Sequence, residues 1–326
     1  MKPELFADAA LLDRLSQLVR LRFHITGTQN ISFSFPSEGK RTPVAVAHIG
    51  GGQNFVIKLH RNFSKFFRVC YNMKKLDTLG LAVPGLLFWT FRSRLGAAGH
   101  YITVEEFIPG DTIGKLPPSD RARALSQIAD SLAALHSVKR NQHGWFMTPR
   151  RYAYIQKYAQ RTISRLKRLK DFMNEKTFKL LWDGTMKQAE EIGRRTNYEL
   201  IHGRVNSNNL LITDSSAYII DLLSVHFGDF TRDLIRALHR LCNDSLESKR
   251  LFFERYFLKV QGLNMNDYRK LDPFYHCDFH IGEASNSLRI WQDDKITDEQ
   301  FYDEMNRNIE KAIEALFYTE SSDMGN

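Results

Sequence analysis

The sequence predicts an α+β fold with segregated lobes, a small antiparallel sheet followed by a larger helical lobe. Three observations predict it. Short β-rich runs bounded by turn residues crowd positions 26–107. After Pro109 and Gly110 the pattern turns helical for most of the remaining chain. One polar loop between apolar strands interrupts that helical half at positions 200–221. A length of 326 residues suits one two-lobed unit or two modest domains.

Residues 1–22 read as an amphipathic helix and not as a secretory signal, because Glu4, Asp8, Asp13 and Arg14 interrupt the apolar positions. ISFSF (31–35), PVAVAHI (43–49) and NFVIKLH (54–60) predict an antiparallel meander, with Gly50-Gly51-Gly52 as a hairpin turn. Residues 63–79 predict a helix stopped at Gly80, with Pro84 beyond. Two further strands follow, GLLFWTF (85–91) and YITVEEF (101–107). Ser119 and Asp120 suit the start of a helix reaching about His136, with Ile128, Leu132 and Leu135 on one side. A long helical stretch covers about 151–195. ELIHG and NLLIT then look like a hairpin pair, and AYIID like a third strand. Residues from 230 to about 317 are helical with short breaks. The expected division is an N-lobe over 1–108, a C-lobe over 109–318 and a disordered tail over 319–326, with a hinge near 105–111.

Hydrophobic residues make up 43% of the chain, enough for a sizeable core, and no apolar run approaches the length of a membrane span. The three cysteines, Cys70, Cys242 and Cys277, are far apart and odd in number. That implies no disulfide framework, and a reducing cytoplasm is the expected location. A net charge of +9 favours phosphate-bearing partners. Residues 150–170 carry eight basic side chains and no acid, with Tyr152, Ile155, Tyr158 and Leu166 at roughly helical spacing. The stretch reads either as a solvated helix face or as a surface for an anionic small molecule, a lipid headgroup or an acidic protein. The lipid reading would place the protein peripherally at a membrane surface. Nucleic acid is disfavoured, since no recognised module accompanies the charge. His276, Cys277, Asp278 and His280 stand together, but without a second ligand cluster they read as packed or cleft-lining residues before metal ligands.

LIHGRVNSNNLLI (200–212) followed by YIIDLLSV (218–225) is the segment most able to carry chemistry. It places Asn209 and Asp221, both oxygen donors, at strand edges. Mg²⁺ takes such ligands and usually keeps waters and phosphates as its other partners. The segment resembles the pattern His-Gly-Asp-x-x-x-x-Asn, then an apolar strand and Ile-Asp, of the aminoglycoside phosphotransferase and choline kinase families. SLAALHSV (131–138), FGDFTRDL (227–234), LGLAVPGLLF (79–88) and VEEFIPGDTI (104–113) resemble further segments of those families in the same order. The resemblance covers about residues 20–245. It implies a two-lobed protein-kinase-like fold with ATP and Mg²⁺ as cofactors. Asn209 and Asp221 then become the metal ligands and Lys58 the phosphate-contacting lysine. The turn TGTQNISFSF brings Gly27, Thr28 and Asn30 to the phosphates, and the lobe hinge brings Glu105 and Phe107 to the nucleotide. His202 and His136 become loop-fixing hydrogen bonders, and Asp233 a structural acid behind the metal site.

The pattern breaks twice. Arg204 stands where the resemblance requires the aspartate that accepts the acceptor's proton, and a guanidinium stays charged at any accessible pH. No acid lies between Lys58 and Asp77, so the small-lobe helix has no glutamate for the lysine; phosphate alone or an acid from elsewhere, such as Asp221, would have to orient it. The expected function is a Mg-nucleotide-binding pseudokinase. The alternatives are an active phosphotransferase for a small hydroxylated acceptor (sugar, amino alcohol, antibiotic or lipopolysaccharide-like) and an interaction protein using the basic 150–170 face.

Overall fold

The computed structural model describes residues 6, 8–26, 29–36, 42–90, 100–150, 154–193, 195–242, 245–293 and 295–317. Gly27, Thr28 and the 319–326 tail lie outside the described residues. In chain order the first elements are α1 (Ala9–Phe23), β1 (Ile31–Ser34), β2 (Val44–Ile49), β3 (Gln53–His60), α2 (Phe63–Thr78), β4 (Leu86–Thr90), β5 (Tyr101–Glu106) and α3 (Pro118–His136). There follow β6 (Lys139–Arg140), β7 (His143–Gly144), β8 (Pro149–Arg150), α4 (Tyr154–Leu169), α5 (Glu175–Ile192), β9 (Tyr198–Ile201), β10 (Leu210–Ile212), β11 (Ala217–Ile219) and β12 (His226–Gly228). Four helices close the described chain: α6 (Thr231–Leu241), α7 (Leu246–Lys259), α8 (Met265–Gln292) and α9 (Asp298–Phe317). The fold is an antiparallel sheet followed by a predominantly helical remainder, as the sequence predicts.

The chain divides into two compact units, residues 1–131 with 207–224 and residues 132–206 with 225–326. The first therefore extends past the expected 105–111 hinge and takes back the β10–β11 hairpin.

The first unit is built on an antiparallel sheet ordered β1-β2-β3-β5-β4. Strand alternation decides its two faces. Ile57, Leu59, Ile102 and Val104 point to one side and pack with Leu11, Leu15 and Val19 of α1. Lys58, His60, Thr103 and Glu105 point to the other, where His60 and Tyr101 lie against Phe66 of α2 at 5.8 and 5.2 Å. The sheet is thus covered by two helices, α1 on one face and α2 on the other. At Gly51 and Gly52 the β2–β3 turn has φ values of 108° and 92°, which favour glycine. Asn62 caps α2 by accepting the Lys65 N–H at 3.0 Å.

The second unit has an apolar core shared by α4, α5, α8 and α9, with Leu166, Leu181, Ile281, Phe301 and Ala312 fully buried. The stretch read as one long helix is two, because Asn174 caps α5 through the Thr177 N–H at 2.8 Å. A second sheet, ordered β6-β9-β12-β7-β8, is made of strands two to four residues long. The expected pairing of ELIHG with NLLIT does not form. β9 pairs with β6 and β12, whereas β10 pairs with β11. The connection 202–209, polar except for the buried Val205, lets the two strands belong to different sheets. All three cysteines are buried and free. Among the described residues no helix is long and apolar enough to cross a membrane.

Candidate functional site

In the first unit, β3 and β5 bring Lys58 opposite Thr103. Glu105 lies two residues along the same face, and its carboxylate meets the Lys58 ammonium at 2.6 Å. The ammonium keeps 19% of its side chain exposed while Glu105 keeps 3%, so the pair is sealed from the acid's side and open from the lysine's. Thr103 donates to Glu105 at 3.0 Å and contacts the His60 ring at 3.1 Å. Burial holds the His60 imidazole down at about 4, against the pull of the Glu105 and Asp221 carboxylates and with the push of Lys58 and His100. One sheet face therefore collects Lys58, Glu105 and His60, with His60 within electrostatic range of Asp221. An acid that holds the lysine comes from β5, where sequence reading looked to α2, Asp221 or a phosphate. Sequence spacing does not show it, because register across strands decides which side chains meet.

Asn209 and Asp221 lie at one end of the β10–β11 hairpin. Leu210 pairs with Ile219, and the Ile220 N–H donates to the Asn209 carbonyl at 3.0 Å. Asp221 has φ 58°, a left-handed conformation uncommon outside glycine and asparagine. Such geometry persists only where the surroundings over-determine it. Here Asn72 of α2, 1% exposed, donates to the Leu222 carbonyl at 2.8 Å and holds the turn after Asp221. The helix that lacks the expected acid thus serves the site through an amide.

Asn30 is not brought to Lys58. Its carbonyl accepts the Gly50 N–H at 3.0 Å, at the Ile49 end of β2, whereas Lys58 pairs with Val44 at the other end. Five strand residues separate the two ends by about 16 Å. The connection at the Lys58 end of β2 is 35–43, most of which lies outside the described residues. Phe107 follows β5 and is half-buried.

In the second unit, β9 ends at Ile201 and delivers His202, fully buried, then Gly203 at φ 77° and Arg204, half-buried. The Asp233 carboxylate accepts the backbone N–H groups of His202 at 2.6 Å and Gly203 at 2.8 Å, and contacts the His136 ring at 3.4 Å. His136 also contacts the Tyr256 hydroxyl at 2.8 Å. Burial alone would raise the Asp233 pKa, but the His136 contact and the charges of His136, His202 and Arg232 outweigh it and hold the group at about 2. A second network pins β9 from behind. Arg195 bonds Glu199 at 2.8 Å and Asp229 at 2.7 Å, and Tyr275 donates to Asp229. Burial and the nearby Asp229 carboxylate push Glu199 up to about 7, although Arg195 pulls it down. The Asn206 amide donates to the Arg204 carbonyl at 3.0 Å, tightening the turn that presents Arg204.

The residues fit the expected cofactors. Asn209 and Asp221 offer hard oxygen ligands from one hairpin end, and too few to form a cage, which suits Mg²⁺ carrying waters and phosphates. Among the described residues no group of three or more His, Cys, Asp or Glu gathers as a metal site. The 276–280 cluster is packed and not gathered on one point: His276 pairs with Asp272 and stacks near His280, which meets Asn308, whereas Cys277 contacts Thr185 and Asp278 takes Arg165 and Thr162. Nor is the basic 150–170 stretch a uniform face. Arg165 and Arg168 turn toward α8, whereas Lys167 and Lys170 lie over Trp182 and Phe178 of α5 at 5.4 and 5.6 Å.

Comparison with solved structures agrees with this architecture. Aminoglycoside phosphotransferase APH(4)-Ia superposes with a TM-score of 0.63 at 15% identity, over 92% of this chain and 99% of that one. ADP-bound aminoglycoside phosphotransferase APH(2'')-Ib gives 0.62 at 14% identity, over 95% and 99%. Spectinomycin phosphotransferase APH(9)-Ia, solved with ADP and spectinomycin, gives 0.60 at 14% identity, over 94% and 98%. At such identities the likeness is one of fold. No curated protein sequence matches the chain significantly. Residues 45–274, more than half of the sequence, match the family described as phosphotransferase enzyme family, and the chain belongs to it.

Proposed function

We propose that the protein binds a Mg-nucleotide through its first unit and transfers phosphoryl groups slowly or not at all. The observation that carries this reading is Arg204 in the loop fixed by Asp233, where a proton-accepting acid would be needed. Glu105 holds the Lys58 ammonium ready for nucleotide phosphates. Asn209 and Asp221 would hold Mg²⁺, which when bound neutralises charge on a transferring phosphoryl group. The Arg204 guanidinium cannot take a proton from an acceptor hydroxyl, and loss of a general base typically costs about 10²–10⁴-fold in rate. Positioning and electrostatics, which dominate phosphoryl transfer, rest on Lys58, Asn209 and Asp221. Related folds solved with ADP, or with AMP-PNP and hygromycin B, support a nucleotide ligand.

Calorimetric titration with Mg-ADP tests the reading. Saturable binding is expected, with losses of about tenfold or more in Lys58→Met and Asp221→Ala. Arg204→Asp should keep the affinity and gain ATP hydrolysis. Absence of binding at millimolar nucleotide would sink the proposal.

The Lys58–Glu105 pair favours a second reading, an active phosphotransferase for a small hydroxylated acceptor, because one of the two departures seen in the sequence is compensated. Robust ATP-dependent transfer by the wild type, abolished by Asp221→Ala, would establish it in place of the first.

A further inference from the structure

The second unit gathers several arginines around the buried carboxylate of Asp278. Asp278 of α8 is 5% exposed and accepts from Thr162 at 2.6 Å and from Arg165 at 2.8 Å, both on α4. Arg161 lies one turn before Arg165 on α4, and Arg232 and Arg236 lie one turn apart on α6. Arg161 and Arg236 each lie within electrostatic range of Arg232 and of Asp278, and Arg165 within range of Arg161 and Asp278. Arg232 is 8% exposed and sits 4.8 Å from the Tyr158 ring centre, and Arg161 sits 5.9 Å from the same ring. Asp233 is the next acid felt by Arg236, but its carboxylate is committed to His202, Gly203 and His136.

Neither Arg161 nor Arg236 makes a hydrogen bond or ion pair among the described residues. Arg236 is nonetheless half-buried. Desolvation, then the neighbouring Arg232, drives its pKa down to about 10. A guanidinium carries five N–H donors, and leaving them desolvated without acceptors is costly. Apolar side chains would pack helices at lower cost. The arrangement makes sense if an anion completes it.

We propose that Arg161, Arg165, Arg232 and Arg236 form a binding site for the phosphate monoester group of a small molecule. Guanidinium forks match phosphate oxygens bidentately. Arg161, Arg165 and Arg236 against the one carboxylate of Asp278 suit a dianion better than a carboxylate monoanion. Arg232 directly precedes Asp233, which fixes the 202–204 loop, so the ligand is held in the same unit as that loop. The site is independent of the nucleotide reading, whose residues belong to the first unit. It also narrows the basic 150–170 stretch to two of its arginines joined by two from α6.

The test uses the full chain, titrated at constant ionic strength with inorganic phosphate, glycerol 3-phosphate, glycerate and glycerol, and read by calorimetry and thermal shift. Glycerol 3-phosphate should bind saturably and raise the melting temperature, glycerate should bind about tenfold more weakly, and glycerol should do nothing. Arg161→Gln and Arg236→Gln should each weaken the phosphate response about tenfold or more while leaving Mg-ADP binding unchanged. Arg236→Gln without ligand should melt higher than wild type, since it removes excess charge; a helix-packing role would make it melt lower. Arg161 is exposed, so its variant tests binding even if Arg236→Gln folds poorly. An equal phosphate response in wild type and Arg161→Gln, or none at millimolar ligand, would overturn the proposal. Tighter binding of glycerate than of glycerol 3-phosphate would overturn the phosphate assignment. Loss of Mg-ADP binding alone would count against the nucleotide reading and leave this site standing.

Discussion

Lys58 and Glu105 hold each other across two strands, and neither is dispensable to the other. Glu105→Gln leaves an ammonium with a neutral partner, and Lys58→Met leaves a buried carboxylate with no cation. Each variant should lose about 1–3 kcal/mol of stability, with the double variant losing less than the sum, as chemical denaturation of a double-mutant cycle would show. Asp233 is a stronger case, since one fully buried carboxylate serves two backbone N–H groups and His136. Asp233→Asn should cost about 3 kcal/mol by the same measurement, because an amide nitrogen cannot accept one of those bonds. At this scale the sequence was partly legible. Asn209, Asp221, His202 and Arg204 stand out because they fall within one segment, 202–221, and Lys58 through the family resemblance. Glu105 as a lysine partner, Asn72 behind Asp221, and the gathering of Arg161 with Arg236 were not legible, since each depends on which elements pack together.

Elements set how firmly these side chains are aimed. Gly110 carries the chain past β10, where a Cβ would lie 2.6 Å from the Ile212 carbonyl oxygen, and the adjacent Asp111 bridges to Ile212. Gly110→Ala should therefore force backbone apart and cost about 1–3 kcal/mol in a denaturant titration. It should also weaken Mg-ADP binding, because β10 positions Asn209. The packing of α6 on α8 carries a pH dependence. His239 stacks on Phe279 at 4.4 Å, beside His276 and His280 and under the charges of Lys249 and Lys311. Burial, then the neighbouring histidines and lysines, holds it down at about 2, below its usual 6.5. The folded state thus binds fewer protons than the unfolded one between those values, so stability is complete above about pH 6.5 and falls as the pH drops. The loss should be about 2 kcal/mol from pH 7 to pH 5, and His239→Phe should flatten the curve. His60, held near 4, adds a dependence of the same sign. Long periodic helices and the 31–60 meander were readable from apolar spacing. Apart from β9, the strands of the second sheet were not, because two or three residues carry no period. The 199–203 and 209–213 runs were readable as strands but not as partners, since both are apolar and adjacent while their hydrogen bonds go to different sheets.

For the whole molecule the two units have separate cores and, on the proposals above, separate ligands. Hydrogen-exchange mass spectrometry should resolve them. Mg-ADP should slow exchange in β3, β5 and 209–224, and glycerol 3-phosphate in α4, α6 and α8. Slowing of the same peptides by both ligands would contradict that assignment. The lobe order was legible in the sequence, but the assignment of the β10–β11 hairpin to the first unit was not, because nothing local marks where the chain returns. That return governs biosynthesis. A ribosome that has made residues 1–131 has supplied Lys58 and Glu105 but neither Asn209 nor Asp221. The first unit must wait, incomplete, while the 75 residues of positions 132–206 are translated, and no single cleavage of the gene can yield it alone.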